Sequence, residues 1–259
     1  FDMDGTLTEA RKPFDRDLFP VLSKLANVSD IGIVSGSDYE YIKEQMHFIM
    51  YTSSLRYMTH IFPCNGTKHY TPPEHSDDNF TLKYEVNMQD EIGVDCFKEL
   101  MRMILKQQVT YSLKLPSLSG HFVDYRGSMI NWCPIGRKAS QQQREEFIRW
   151  DTSYNFRPVE MLYLQTSTLM VANDLEIKLG GDTSFDIYPK GWDKTYCLRH
   201  LQDYDEIYFV GDRCSMGGND KELYDELQPN NSFSTKDPTH TAEIIKNLIS
   251  IIGSKHETT

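Results

Sequence analysis

The chain has 259 residues, 39% hydrophobic and 25% charged, and its 27 basic and 38 acidic side chains give a formal charge of −11. That length allows one large domain or two modest ones, and the composition excludes disorder and coiled coil. No apolar run reaches the roughly 18–20 residues of a membrane span, and the acidic balance argues against general nucleic-acid binding, which needs a basic surface to release counterions.

In chain order, Leu18, Val21, Leu22, Leu25 and Ala26 recur at helical spacing, with Pro20 tolerable in a first turn. Ile31 to Val34 is a short apolar run ending in Ser35-Gly36-Ser37-Asp38, which predicts a buried parallel strand feeding a capped helix through Tyr41, Ile42, Gln45 and Met46. Residues 71–80 read as a polar surface loop. Phe97, Leu100, Met101, Ile104 and Leu105 share a helix face, and the alternation of Val109, Tyr111, Leu113 and Leu115 predicts a half-buried strand. Phe122–Tyr125 and Met129–Trp132 read as a hairpin around Arg126-Gly127. A helix begins near Ser140, and strands are predicted at Leu169–Val171 and Leu175–Leu179. Ile207–Val210 repeats the buried-strand pattern before Gly211-Asp212, and Ala242, Ile244, Ile245, Leu248, Ile249 and Ile252 form a last amphipathic helix. Strand–helix alternation at both ends predicts an open, mostly parallel α/β sheet with an antiparallel α+β unit inserted in its middle. Cysteines 64, 96, 133, 197 and 214 have neither an even count nor CxxC spacing, so no disulfide framework or zinc site is indicated, and a cytoplasmic protein is expected.

Asp2-Met3-Asp4-Gly5-Thr6 is the sharpest chemical signal. Residues two apart in an extended segment point the same way, so both carboxylates are expected to face one site. Such a pair repels itself unless a cation lies between, which suggests oxygen-ligated Mg²⁺. One carboxylate can then attack phosphorus while the other handles a hydroxyl proton; the plain alternative is a solvated acidic turn. A loop of this kind follows a buried strand, so further strand residues are expected before Phe1 and the chain reads as a fragment. Ser35 and Ser37 can hold a phosphate or simply cap a helix. Lys194 can neutralise a phosphoaspartate or stand exposed. Asp212 is a candidate metal ligand, and Asp220 a supporting carboxylate or a helix cap.

The ordered set, DxDGT, serine, lysine and GD…GGND, resembles the four motifs of haloacid dehalogenase-type phosphotransferases. Phe1–Arg11, Ile31–Asp38, Asn131–Arg137, Thr183–Lys194 and Gly211–Asp220 further resemble eukaryotic α-phosphomannomutase. The resemblance implies a Rossmann-like parallel-sheet core of haloacid dehalogenase type, residues 1–81 and 188–259, with an inserted α+β cap at 82–187. It implies a mutase that interconverts mannose 6-phosphate and mannose 1-phosphate with Mg²⁺ and a hexose 1,6-bisphosphate activator, in a homodimer joined through the caps. Carried over by position, Asp2 is the phosphorylated residue, Asp4 the acid/base and Lys194 the charge-neutralising cation. Arg11, Ser35, Ser37, Arg126, Arg137, Arg144, Ser184 and Asp186 are substrate contacts. Asp2, Asp4 and Asp212 serve the catalytic metal, and Tyr224 and Glu226 remain as ligands of a second metal loop in which Pro229 has no side-chain oxygen.

The chain departs from the family pattern at Cys64, usually glutamate, in a longer and more apolar 43–62 stretch, and at 151–182. Three functional classes follow: the mutase, a capped sugar-phosphate phosphatase, and a non-catalytic sugar-phosphate binder. Asp2, Asp4, Lys194 and Asp212 together speak against the third. The cap arginines favour the first, because water needs no second phosphate anchor.

Overall fold

The computed structural model describes residues 1–256, and they fall into two compact units: Phe1–Glu85 with Asp193–Met216 and the chain from Asp220, and Val86–Trp192 with Gly217–Asn219.

In chain order the first unit contains α1 (Phe19–Leu25), β1 (Ile31–Val34), α2 (Tyr39–Gln45), β2 (Thr59–Phe62), β3 (Lys68–Thr71) and β4 (Thr81–Glu85). The second follows with α3 (Met88–Ile92), α4 (Val94–Tyr111), β5 (Val123–Tyr125), β6 (Ile130–Trp132), α5 (Gln141–Tyr154), α6 (Phe156–Gln165), α7 (Thr168–Ala172), β7 (Leu175–Gly180) and β8 (Ser184–Pro189). The chain then returns to the first unit with β9 (Phe209–Gly211), α8 (Lys221–Glu226), β10 (Ser232–Ser234) and α9 (Pro238–His256).

In the first unit β1 and β2 are parallel, as are β9 and β10, while β3 and β4 extend the first pair as an antiparallel edge. Phe1 and Asp2 join the two sheets: Val34 donates its N–H to the Phe1 carbonyl and Asp2 donates to the Val210 carbonyl, each at 2.9 Å. Met3, Leu7, Leu22, Ile33, Ile42, Met46 and Ile245 pack beneath this junction. The apolar 43–62 stretch fills the same core, since its two helical turns, Phe48–Thr52 and Ser54–Met58, bury Ile49, Met50 and Leu55. At the β2–β3 end, His60 Nδ1 lies 2.9 Å from His69 Nε2. His69 stacks on Phe62 and faces the His200 ring, whose Nε2 donates to the Gly66 carbonyl at 2.9 Å. Burial lowers the pKa of all three histidines, His69 to about 4.

In the second unit an antiparallel sheet of order β5-β6-β8-β7 carries the helices. The hairpin and the strand at 175–179 form as predicted. The strand predicted from Val109 to Leu115 does not: α4 continues to Tyr111, Val109 is 74% exposed and Leu113 97% exposed. The helix turns two glutamines inward instead; Gln108 donates to the Pro134 carbonyl and accepts from Trp132 Nε1. Leu169–Val171 belongs to the short helix α7, which Ser167 starts by accepting the Met170 N–H. Ser140 caps α5 in a reciprocal pair with Gln143.

Candidate active site

Asp2 is buried where β1 and β9 end, the strand-terminal position at which open α/β sheets gather their sites. Asp212 follows β9 directly, and carboxylate oxygens of Asp2, Asp212 and Asp220 lie within 4.8 Å of one another. Gly5 permits this approach. Its φ of +89° falls in the left-handed region, and a Cβ there would lie 2.4 Å from Asp212 Oδ2.

Lys194 opens a 3-10 helix (Lys194–His200) capped by Asp193, which accepts from the Thr195 N–H. The lysine is fully buried, and its Nζ is ion-paired with Asp2 and, at 2.6 Å, with Asp220. The other Asp220 oxygen accepts the Arg213 N–H at 2.9 Å. Asp220 is therefore a support for Lys194. Although it occupies the cap position of α8, its side chain makes no cap bond there. Burial pushes the Asp2 carboxyl up, against the pull of Lys194 and with the help of Asp220 and Asp212. Asp212 is raised to about 6 by burial and by Asp220. Burial opposes the charge on Lys194, but Asp2 and Asp220 outweigh it and keep the ammonium protonated.

Three carboxylates crowd one ammonium here, with Arg213 Nε a further 3.8 Å from Asp212 Oδ2. Oxygen donors at this spacing suit a hard divalent cation such as Mg²⁺. Asp4 lies outside this cluster. After Asp2 the chain turns, with the N–H groups of Thr6, Leu7 and Thr8 directed at the Met3 carbonyl. Asp4 Oδ1 instead accepts from the Arg11 N–H at 2.9 Å and from the Tyr41 hydroxyl at 3.2 Å. Arg11, at φ +64°, is exposed. The Thr6 hydroxyl is buried without a partner among the described residues. Ser35 ends β1, buried, and its hydroxyl accepts the Ser37 N–H; the cap of α2 is Asp38, which accepts from Tyr41. Tyr224 and Glu226 lie on α8, Glu226 exposed.

The remaining predicted contacts lie in the second unit. Arg126 and Arg137 converge on Asp124. Arg144 is buried, with three donors committed to the Ala139 carbonyl, the Thr183 hydroxyl and the Arg137 carbonyl. The Ser184 hydroxyl donates to the Gly180 carbonyl at 2.7 Å, the strand-end bond a serine makes without any ligand. Asp186 is buried and accepts from Asn131 Nδ2 at 2.7 Å. Sequence reasoning missed Asp124, Asn131 and Tyr41. Asp124 and Asn131 flank the hairpin turn in register, a signal available once the hairpin is drawn.

The family model for eukaryotic phosphomannomutase matches residues 18–251. Phosphomannomutase 1 of Dictyostelium discoideum is 34% identical over 250 residues, covering 96% of this chain and 94% of its own. The phosphomannomutase of Arabidopsis thaliana is 38% identical over 225 residues, covering 87% and 85%. Among solved structures, the N-terminally truncated, IMP-bound IMP-nucleotidase of Plasmodium falciparum aligns with a TM-score of 0.59 at 16% identity, over 96% of this chain and 67% of that one. A trehalose-6-phosphate phosphatase related protein aligns with a TM-score of 0.54 at 12% identity, over 98% of each chain. These likenesses are of fold, and they assign the α/β architecture to the haloacid dehalogenase type. With the relatives spanned nearly end to end, the chain belongs to the eukaryotic phosphomannomutase family.

Proposed function

We propose that the chain is an isomerase that interconverts mannose 6-phosphate and mannose 1-phosphate through a phosphoaspartate at Asp2, feeding GDP-mannose synthesis for glycosylation. The observation that carries this reading is the pairing of buried Asp2 with Lys194 in one unit and an arginine cluster in the other. A mutase handles two phosphates, one reacting and one held, and planar guanidinium forks suit the second. A phosphatase of the same fold would use the same aspartate but has no need of the forks.

In this reading residues 1–81 and 188–259 act as the core and 82–187 as the cap. Asp2 attacks phosphorus of a hexose 1,6-bisphosphate activator; the P–O bond to the sugar breaks as the bond to the carboxylate forms. Asp4, oriented by Arg11 and Tyr41, returns a proton to the departing oxygen and later removes one from the incoming hydroxyl. Lys194 offsets charge on the transferring oxygens, and Thr6, Ser35 and Ser37 supply hydroxyls to the same group. Arg11, Arg126, Arg137 and Arg144, with Ser184 and Asp186, hold the rest of the hexose phosphate. Asp2, Asp4 and Asp212 would hold Mg²⁺, with Tyr224 and Glu226 at a second cation; a bound Mg²⁺ supplies further charge stabilisation to the phosphoryl oxygens. Pairing into a homodimer through the cap is part of the reading, supported by exposed Leu105, Val109, Leu162 and Tyr163. The five free cysteines suit a cytoplasmic setting.

Product analysis tests the function. With mannose 1-phosphate, Mg²⁺ and a trace of hexose 1,6-bisphosphate, mannose 6-phosphate should accumulate without free phosphate. Stoichiometric phosphate release would identify a phosphatase, and no turnover a binding protein. Asp2→Asn should abolish turnover together with the hydroxylamine-labile phosphoenzyme.

A further inference from the structure

In the second unit one carboxylate gathers three basic side chains. Asp124 Oδ2 lies 3.2 Å from Arg126 Nε and 3.5 Å from Arg137 Nε, and Asp124 Oδ1 lies 3.5 Å from His121 Nε2. Neither arginine is a solvated surface cation, since their side chains are 5% and 27% exposed and that of Asp124 21%. This is not the screened surface pair that contributes little. Both guanidiniums approach through Nε, the atom at the elbow of the fork.

The sheet fixes where the carboxylate stands. Asp124 on β5 is opposite Asn131 on β6, which is opposite Asp186 on β8, so the three form a row across the strands. Hydrogen bonds run along it: Asn131 donates to Asp186, and its Oδ1 accepts from Arg137 Nη1 at 2.9 Å. Arg137 is thus held by both Asp124 and Asn131, and Arg126 by Asp124. Two guanidiniums this close repel each other, and the carboxylate between them offsets that repulsion. Burial would raise the Asp124 carboxyl, but Arg126 and Arg137 hold it below the ordinary carboxylate value, so it stays ionised at neutral pH.

We propose that Asp124 is a positioning residue for the non-reacting phosphate, ordering Arg126 and Arg137 before any anion arrives. This rests on the reading above that these two arginines bind that phosphate. An arginine already ordered loses little side-chain freedom on binding, so the carboxylate acts on substrate affinity and leaves the chemical step to the first unit. The sequence offered no such role, because an aspartate two residues before an arginine is ordinary.

The test compares Asp124→Asn, Asp124→Ser, Asp124→Glu and Arg137→Ala with the parent. Each is assayed for mannose 1-phosphate isomerisation and for p-nitrophenyl phosphate hydrolysis, which has no distal phosphate to anchor, and its unfolding midpoint is measured. Asp124→Asn should raise KM for mannose 1-phosphate about tenfold with kcat within about twofold, while aryl-phosphate hydrolysis falls far less. Asp124→Glu should recover most of the loss, since it returns a carboxylate. Asp124→Ser gives the same readout should the asparagine variant fold poorly. An unchanged KM, a lower KM (the mark of a carboxylate that competes with phosphate), or equal losses in both reactions overturns the proposal. Should Arg137→Ala raise KM while the Asp124 variants do not, the proposal alone falls. If Arg137→Ala also spares KM, the reading of the arginines falls and takes the proposal with it.

Discussion

Replacing Lys194 with methionine keeps most of the apolar stem and deletes the charge. The lysine is fully buried between Asp2 and Asp220, with Asp212 beside them. Its loss leaves neighbouring carboxylates without a counter-charge. Removing one partner of a buried ion pair costs about 3–5 kcal/mol. In a chain of this size each kcal/mol lowers Tm by about 2–4 °C, so a fall of about 6–20 °C is expected. The unfolding must be followed in the first unit, whereas Trp132, Trp150 and Trp192 all lie in the second. Hydrogen exchange of the Val34 and Asp2 amides, resolved by mass spectrometry, reports on the right place. Adding Asp220→Asn removes one stranded charge and should restore part of the loss, giving a coupling of about 1–3 kcal/mol in a double-mutant cycle. Mg²⁺ should protect Lys194→Met more than the parent, because the cation replaces the missing charge. A variant melting within about 2 °C of the parent, or losses that add in the double variant, would refute the reasoning.

Gly5→Ala should weaken Mg²⁺ binding roughly 10- to 100-fold, since the new methyl displaces Asp212; isothermal titration with Mg²⁺ measures it, and unchanged affinity would remove Asp212 from the site. The histidine stack should make stability acid-sensitive. His69 ionises more readily unfolded than folded, so its contribution is complete above about pH 6.5 and is lost as pH falls from there toward 4. His69→Phe, which keeps a ring against Phe62, should therefore lose less Tm between pH 7 and pH 5 than the parent, and an equal loss would locate the acid sensitivity elsewhere. Arg144→Ala should lower the unfolding midpoint as well as activity, because three bonds to the protein go with it, whereas Arg137→Ala should act mainly on KM; equal midpoints for the two variants in urea would contradict this.

The elements that sequence periodicity predicted well are those with one apolar face and clear punctuation: β1 before its Ser-Gly-Ser-Asp turn, the hairpin at 123–132, and α9. Periodicity failed where polar residues turn inward. Gln107 and Gln108 are buried on α4, which left Val109 and Leu113 outside and mimicked a strand. In the site, Asp2 and Lys194 were legible as motif members, but their direct pairing was not, since 192 residues separate them. Nor was the partner of Asp4 legible, since Tyr41 lies 37 residues away. Three N–H groups converging on the Met3 carbonyl bend the chain there and send Asp4 toward Tyr41. The arginines came position by position from the family resemblance; the carboxylate that two of them share needs the register of β5 and β6 to be known.

The stitching of Phe1 and Asp2 between β1 and β9 has a consequence for how an isomerase must work. Backbone bonds on both sides hold the Asp2 main chain, from the Phe1 carbonyl to Val34 and from the Asp2 amide to Val210, and Lys194 holds its carboxylate. In the proposed cycle the nucleophile, Asp2, therefore has one station. It cannot travel from one end of a hexose to the other, so the sugar must present each end to it in turn. On the proposed reading, the doubly phosphorylated intermediate then has to tumble end over end between the two transfers while staying with the protein. Whatever grips the idle phosphate must accept it on carbon 1 in one half-cycle and on carbon 6 in the other. Several forked cations held near one another suit that requirement better than a single tailored contact, because they tolerate an anion that arrives at two angles.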